Sequence, residues 1–542
     1  MDSIEIVLAM LLAVVASGFL GRMLPFAVPL PLIQIALGAV ISGVLKHGTA
    51  LEPDIFFLLF LPPLLFLDGW RIPKVGLFRD KGTIIELALG LVLFTVVGAG
   101  FLLHWLIPEL PLAVAFALAA IVAPTDPVAV SAITSRVPVP PRLMHIIEGE
   151  SLLNDASGLV CFRFAVAAAM TGTFSIAQAS LTFLWLALAG IAAGVAVTFA
   201  ISRVHQFLTR RFGDDEGAPI LINLLTPFGA YLAAEHIGAS GILAAVAAGI
   251  TMSYVELGGS ATPTTRVHRA VVWDTLQFTL NGVMFVLLGE QLPDILREAV
   301  HPPGGGHPFN PWWLAGNALA LSLGLVLLRF VWVWVSLRLT ILNQRRLGQQ
   351  VFKPRLRLIL ATSFAGVRGA LTMAGVMTLP LALPNGDPFP GRHLAILLAS
   401  AVIVVSLILA SIMLPRLLRG LEVPTEGEAE QHEDKARNAA ITAAVEAVER
   451  LGRERSTGPD ADLHANTAGH VAKLYRHRLR VVQEGDAGHD PQQARDTERE
   501  YRLTALRAER ETILRLGRRR EISDEIARKL LREIDLVEAR YR

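Results

Sequence analysis

The first 420 residues alternate long apolar runs with short polar connections, and the pattern then changes character. A bilayer core asks for roughly 20 apolar residues per helix. Thirteen runs approach that length, near 4–21, 28–45, 53–69, 83–107, 111–134, 143–171, 178–202, 218–235, 238–256, 272–292, 312–337, 357–381 and 393–416. Several are short or interrupted by Pro and Gly. Asp2 and Glu5 stand where a signal peptide carries its basic segment, so the run at 4–21 reads as a retained first span. Beyond residue 420, apolar residues recur at helical spacing on a polar background, as in Ile441, Val445, Val448 and again in Ile526, Leu530, Ile534, Val537. Ser523 reads as the N-cap of the latter helix, with Asp524 and Glu525 in its first turn. Breaks near 458–460 and 485–488 divide the segment into about four helices. The pattern predicts an all-α polytopic membrane protein, with a transmembrane domain over 1–420 and a small helical tail domain over 421–542.

Composition sharpens that division. Residues 1–420 hold 26 Lys+Arg and 22 Asp+Glu, about 11% of the segment, whereas residues 421–542 hold 23 and 25, about 39%. An ordinary soluble protein carries roughly 25%, so a single soluble domain is excluded, and so is a disordered chain. The net charge of +2 gives nucleic-acid binding no global electrostatic support. Cys161 is the single cysteine, which rules out an internal disulfide and a Cys-rich metal site. The tail holds no P-loop or dinucleotide fingerprint, and charge-laced amphipathic helices of its kind most often pack on one another.

Charge position also orients the chain. In alternate connections, starting after the first run, stand Arg22, then Arg71, Lys74, Arg79 and Lys81, then Arg136 and Arg142, then Arg203, Arg210 and Arg211, then Arg266 and Arg269. Arg338, Arg345, Arg346, Lys353, Arg355 and Arg357 follow, and Arg416 and Arg419 close the series of twenty. The opposite connections hold only Lys46, Arg297 and Arg392. Positive residues gather on the cytoplasmic side, so thirteen helices place the N-terminus outside and the tail in the cytoplasm.

Few charges are left inside the runs. The bases are Arg163, Arg329 and Arg368, and the acids are Glu86, Asp126, Glu148, Glu150, Asp155, Glu235, Asp274 and Glu290. Charge in a bilayer core is costly, which makes each a candidate for function. In Ile121-Val-Ala-Pro-Thr-Asp-Pro-Val-Ala-Val130, Pro124 and Pro127 flank Thr125 and Asp126 in mid-span. Proline lacks an N–H and clashes with the carbonyl one turn back, so this helix should unwind for about a turn. Freed carbonyls survive in a membrane only against protein or a wet cavity, and a desolvated cation suits them. The plainer reading is a kink in which Asp126 caps the second half-helix.

In Glu148-Gly-Glu-Ser-Leu-Leu-Asn-Asp-Ala-Ser-Gly158, residues Ser151, Asn154, Asp155 and Gly158 fall on one helical stripe. A hydroxyl, an amide and a carboxylate are hard oxygen ligands, suited to Na⁺ and poor for zinc or copper. One carboxylate takes a cation or a proton but not both, which is the chemical core of an exchanger. A polar face lining a subunit contact is the alternative. In Ser363-Phe-Ala-Gly-Val-Arg-Gly-Ala-Leu-Thr-Met-Ala374, Arg368 lies mid-span between Gly366 and Gly369. An intramembrane guanidinium calls for a carboxylate, Glu150 or Glu148, unless it faces a water-filled funnel. Breakers in the fifth and twelfth of 6+1+6 helices fit two inverted repeats.

At these residues the chain resembles the monovalent cation:proton antiporters, in the bacterial sodium/proton exchanger branch related to animal sodium/hydrogen exchangers. The resemblance rests on Thr125-Asp126-Pro127, Glu150-Ser-Leu-Leu-Asn-Asp155, Gly366-Val-Arg-Gly369 and Phe60-Leu-Pro-Pro-Leu-Leu-Phe66, in order and spacing. It implies two inverted six-helix repeats whose broken fifth and twelfth helices cross at the site. The runs near 111–134, 143–171, 357–381 and 393–416 would form a mobile core, and other helices a dimerisation domain. Asp155 would carry the cation or proton, with Thr125 and Ser151 as further ligands. Asp126 would balance the half-helix dipoles beside the cation, and Glu150 would pair with Arg368. Asn154 before Asp155 would go with electroneutral one-for-one exchange. Many relatives place an acid at the position of Leu67, which puts a ligand role for Asp68, roughly 100° further round the helix, in question.

The sequence thus points to a multi-pass protein of a bacterial plasma membrane. It would be a homodimer in lipid that exchanges Na⁺ for H⁺, with no cofactor and no nucleic-acid partner. The same machine working on K⁺, a cation channel, and a membrane enzyme or sensor run by the tail are the alternatives.

Overall fold

The computed structural model describes residues 2–23, 28–45, 53–72, 81–134, 139–172, 176–213, 217–257, 263–300, 310–346, 356–383, 386–419, 426–455, 461–483, 491–518 and 524–539. Several of the charges used above to orient the chain, among them Lys74, Arg79 and Arg136, and the Ser523 cap lie outside the described residues. The described chain is all-helical and divides into two compact units, Met1–Glu422 and Val423–Arg542.

In the first unit the helices are α1 (Asp2–Met23), α2 (Leu30–Leu45), α3 (Pro53–Arg71), α4 (Lys81–Ile85), a π-helical turn (Glu86–Leu91) and α5 (Val92–Leu106). They continue with α6 (Leu112–Val122), α7 (Pro127–Thr134), α8 (Pro141–Thr171), α9 (Ile176–Phe212), α10 (Ala218–His236), α11 (Gly241–Leu257) and α12 (Pro263–Val300). The last four are α13 (Pro311–Arg346), α14 (Leu356–Phe364), α15 (Ala370–Met377) and α16 (Arg392–Leu418). Among the described residues, eight helices are long and apolar enough to cross a membrane, or nine if α6 and α7, bent by 46° at their break, are one span. Shorter apolar helices lie at Leu30–Gly43 and Gly241–Glu256.

Two packing features position the site. The broken pieces α6, α7, α14 and α15 are gathered with α8 and α16, and their fully buried Ala117, Leu118, Ala119, Ala120, Ala361 and Val402 belong to one apolar core. Two helix crossings elsewhere depend on glycine from both sides. A Cβ on Gly38 of α2 would collide with the carbonyl of Val286 on α12, and one on Gly289 of α12 with that of Ile35 on α2. Gly69 of α3 and Gly249 of α11 stand in the same mutual relation to Val246 and Phe66. Small residues let membrane helices approach to backbone contact. Both crossings use that device reciprocally.

The second unit contains α17 (Glu426–Glu454), α18 (Ala461–Gln483), α19 (Pro491–Arg518) and α20 (Asp524–Ala539). Ile441, Val445 and Ala472 are buried between α17 and α18, as are Leu506 and Ile534 between α19 and α20. Ion pairs finish each hairpin: Arg476 with Glu449 in the first, and Arg510 with Asp535 and Glu538 in the second. Hydrogen bonds to Asp535 and then Glu538 hold the Arg510 guanidinium above its ordinary pKa.

A candidate cation site at two crossed helix breaks

The proline-flanked segment unwinds as its chemistry requires. Helix α6 ends at Val122, α7 begins at Pro127, and Thr125 and Asp126 lie in non-helical backbone between them. The glycine-flanked segment does the same between Phe364 and Ala370. The two unwound stretches touch, since the Asp126 amide donates to the carbonyl of Val367 at 2.8 Å.

Each break leaves two half-helix ends, and one charge serves each kind of end. Asp126 Oδ1 accepts from the amides of Val128 at 2.8 Å and Ala129 at 3.4 Å, capping the N-terminus of α7. Its carboxylate also abuts Gly369, the N-cap of α15, so closely that a Cβ there would collide with it. A negative charge therefore sits at two positive helix ends. Arg368 sits at the opposite poles. Its Nε donates to the carbonyl of Val122, the last residue of α6, at 2.8 Å, and its guanidinium donates to the carbonyl of Gly366, just past α14. The Arg368 amide donates to Ser406 Oγ at 3.1 Å.

This corrects the expected pairing of Glu150 with Arg368. Glu150 instead accepts from both guanidinium nitrogens of Arg329 on α13, at 2.5 and 2.7 Å, with both side chains almost fully buried. Arg329 Nε completes its coordination on the carbonyl of Thr362 at 2.9 Å. The physical reason is that the unwound backbone supplies Arg368 with carbonyl acceptors of its own, so it needs no carboxylate. Nor does it face a water-filled funnel, being 2% exposed. Arg329 belongs to the small set of in-span bases, but no local pattern assigns its partner.

The Ser151 stripe on α8 docks onto the first break. Ser151 Oγ donates to the Thr125 carbonyl at 2.9 Å. Asn154 Nδ2 donates to Thr125 Oγ1 at 3.0 Å, and Thr125 Oγ1 donates to Glu150 Oε1 at 3.3 Å. A directional chain thus runs from Asn154 through Thr125 to the Glu150–Arg329 pair and holds the unwound segment in register. Asn154 cannot ionise, so the 154–155 pair carries at most one charge. Gly158 packs on the Pro124 ring and the Ala120 carbonyl, where a Cβ would collide.

A cleft opens on these groups. Asp155, Ser151, Thr125, Asp126, Pro124 and Pro127 line it, together with Asn281 of α12 and Thr372 of α15, neither of which the sequence pattern had singled out. Asp68 lines it too, beside Leu61, Leu64 and Leu65. These four positions form an i, i+3, i+4, i+7 face of α3, whereas Leu67 is fully buried against the Phe66–Trp273 cluster. The acid shifted by one residue is therefore the one that reaches the cleft. Among the described residues no hydrogen bond or ion pair engages the Asp155 carboxylate. The cleft thus gathers hard oxygen donors around a carboxylate left open, a set that suits a cation without strong geometric demands.

A second cavity, of about 590 Å³, is lined by Leu58, Leu159, Arg163, Tyr231, Glu235 and Thr378, among others. On α3, Leu58 lines this cavity while Leu61 lines the cleft. On α8, Leu159 and Asp155 divide in the same way. Three to four helical residues separate the two spaces, about 4.5–6 Å of rise.

Residues 6–420 match the family model described as sodium/hydrogen exchanger, transmembrane. The chain is 39% identical to an uncharacterized Na⁺/H⁺ exchanger of Escherichia coli over 98% of both chains. It is 38% identical to a sodium, potassium, lithium and rubidium/H⁺ antiporter of Bacillus subtilis, over 100% of this chain and 78% of that one. The solved structure of the sodium proton antiporter MjNhaP1 from Methanocaldococcus jannaschii superposes with a TM-score of 0.57 at 19% identity, covering 78% of this chain and 99% of the other.

Proposed function

We propose that this chain, which belongs to the sodium/hydrogen exchanger family, exchanges Na⁺ for H⁺ one for one, with Asp155 as the group that both ions occupy in turn. It is a transporter and not an enzyme. The observation that carries the reading is the open Asp155 carboxylate in a cleft with oxygen donors, one helical turn along α8 from a residue that lines a separate cavity. A separation that short can be crossed by a modest movement of α8 and the broken helices against the rest. A channel would need a continuous pore instead. Ser151, Thr125 and Asp126 serve as further ligands, since the Thr125 carbonyl and hydroxyl keep a lone pair beyond their hydrogen bonds with Ser151, Asn154 and Glu150. Asn154 leaves Asp155 the one titratable group of the 154–155 pair, so a proton and a Na⁺ that alternate on it exchange without net charge movement.

Counting each broken pair as one crossing gives thirteen, with the N-terminus outside and the tail in the cytoplasm. The inverted repeats are then crossings 1–6 and 8–13. Shifting by seven crossings turns the α2–α12 glycine contact into the α11–α3 contact, as such a repeat requires. The protein works as a homodimer in a bacterial plasma membrane.

The ion range of the Bacillus subtilis relative favours one broader reading, in which K⁺ and Li⁺ are carried as well. Proteoliposomes loaded with a pH-sensitive dye and challenged with Na⁺, Li⁺ or K⁺, with and without a valinomycin-clamped potential, test both points. Exchange with Na⁺ at a rate indifferent to the clamp supports the proposal. A rate that follows the clamp contradicts electroneutrality, and a response to K⁺ alone replaces Na⁺ as the cargo.

A further inference from the structure

The second cavity contains a guanidinium and a carboxylate that the exchange chemistry does not use. Arg163 stands two turns beyond Asp155 on α8, about 12 Å along the axis. Its Nη2 lies 3.8 Å from Glu235 Oε1 on α10. Glu235 is anchored on its own side, because the same oxygen accepts from the amide of Gly241 at the start of α11, 3.2 Å away. Helix α10 packs on α9, α11 and α3, whereas α8 packs chiefly on α6 and the π-helical turn. The pair therefore joins the helix that carries Asp155 to a bundle outside the broken-helix core, at the second cavity.

We propose that Arg163 and Glu235 form an outer latch, made while Asp155 faces the cytoplasm and broken when α8 moves to expose Asp155 to the outside. This rests on the exchange reading and on the cytoplasmic placement of Arg71, which ends α3 one turn beyond Asp68 of the cleft. Both side chains are partly exposed, at 51% and 36%. A pair of that kind biases an equilibrium by roughly two- to fivefold rather than locking it. Such a bias is suited to a carrier that must cycle. Arg163 and Glu235 are positioning residues: neither lines the cleft that holds Asp155.

The test is the apparent Na⁺ affinity at each face, measured at one fixed pH in right-side-out and inverted membrane vesicles. Removing the latch enlarges the outward-facing population. Arg163→Gln and Glu235→Gln are each expected to lower the outer half-saturating Na⁺ concentration two- to fivefold. The inner value should hold or rise. Glu235→Gln keeps the acceptor for Gly241 and is the discriminating variant. If Arg163 acted only through its field, losing Glu235 would leave its charge uncompensated and raise the outer value. The exchange of both residues, Arg163→Glu with Glu235→Arg, is expected to return the outer value toward that of the parent protein. An outer value unchanged or raised in Glu235→Gln overturns the latch. A parent protein without Na⁺-dependent proton movement overturns the exchange reading instead.

Discussion

Asp155→Asn is expected to abolish Na⁺-dependent proton movement entirely, down to the rate of protein-free vesicles, while the protein still folds. The amide has the shape of the carboxylate but neither titrates nor supplies a charge. It cannot hold Na⁺ against hydration and cannot carry a proton back. No described hydrogen bond depends on the Asp155 carboxylate, and removing a desolvated charge relieves a burial cost. The melting temperature in detergent should therefore hold or rise. Proteoliposome flux and a thermal melt on the same preparation check the two halves. Residual Na⁺-coupled flux would move the carrier role to Asp68 or Asp126, which share the cleft.

The second large effect falls on stability. Arg329→Ala leaves Glu150 buried with its charge uncompensated, since the Arg329 guanidinium holds both carboxylate oxygens. Breaking a buried pair by removing one partner costs about 3–5 kcal/mol. The loss also reaches the site through Thr125, which hangs on Glu150. The expected result is a sharp fall in folded yield and melting temperature. Arg329→Met combined with Glu150→Gln, which removes both charges, is expected to recover most of that stability. Arg368→Ala strands carbonyl acceptors at Val122 and Gly366 but no charge. Each uncovered backbone group costs about 1–3 kcal/mol, so Arg368→Ala should be milder. Equal losses for Arg329→Ala and Arg368→Ala, with no recovery in the double variant, would return Glu150 to Arg368.

The helix breaks were legible because their causes are local. Proline at 124 and 127 and glycine at 366 and 369 act on their own backbone, and α6 to α7 and α14 to α15 part where those residues stand. The Ser151, Asn154, Asp155, Gly158 stripe was legible for the same reason, since helical spacing alone puts those positions on one face. Asp126 as a cap followed from its place before Pro127, and the structure adds that the same carboxylate also meets the N-terminus of α15. The partner of Glu150 was not legible. It lies 179 residues away, and helix rotation and packing, not spacing, bring Arg329 to it. The assumption that each intramembrane Arg needs an acid misled, because an unwound helix offers carbonyls instead. Comparison with the neighbouring position leaves a ligand role for Asp68 open. Its own face, shared with Leu61, Leu64 and Leu65, would have placed it in the cleft. The π-helical turn at Glu86–Leu91 left no sequence signal, and Gly90 there meets the ring of Trp332.

The central claim is that one carboxylate serves both ions, so that each excludes the other. The half-saturating Na⁺ concentration of the purified protein, followed across pH in proteoliposomes with no proton gradient at the start, tests it most directly. Competition at Asp155 predicts that over the acidic range, where the proton holds the site, this concentration rises about tenfold for each unit the pH is lowered, while the maximal rate at saturating Na⁺ is reached throughout that range. A half-saturating concentration that stays level while the maximal rate falls would mean that proton and cation occupy separate groups, and would contradict the account.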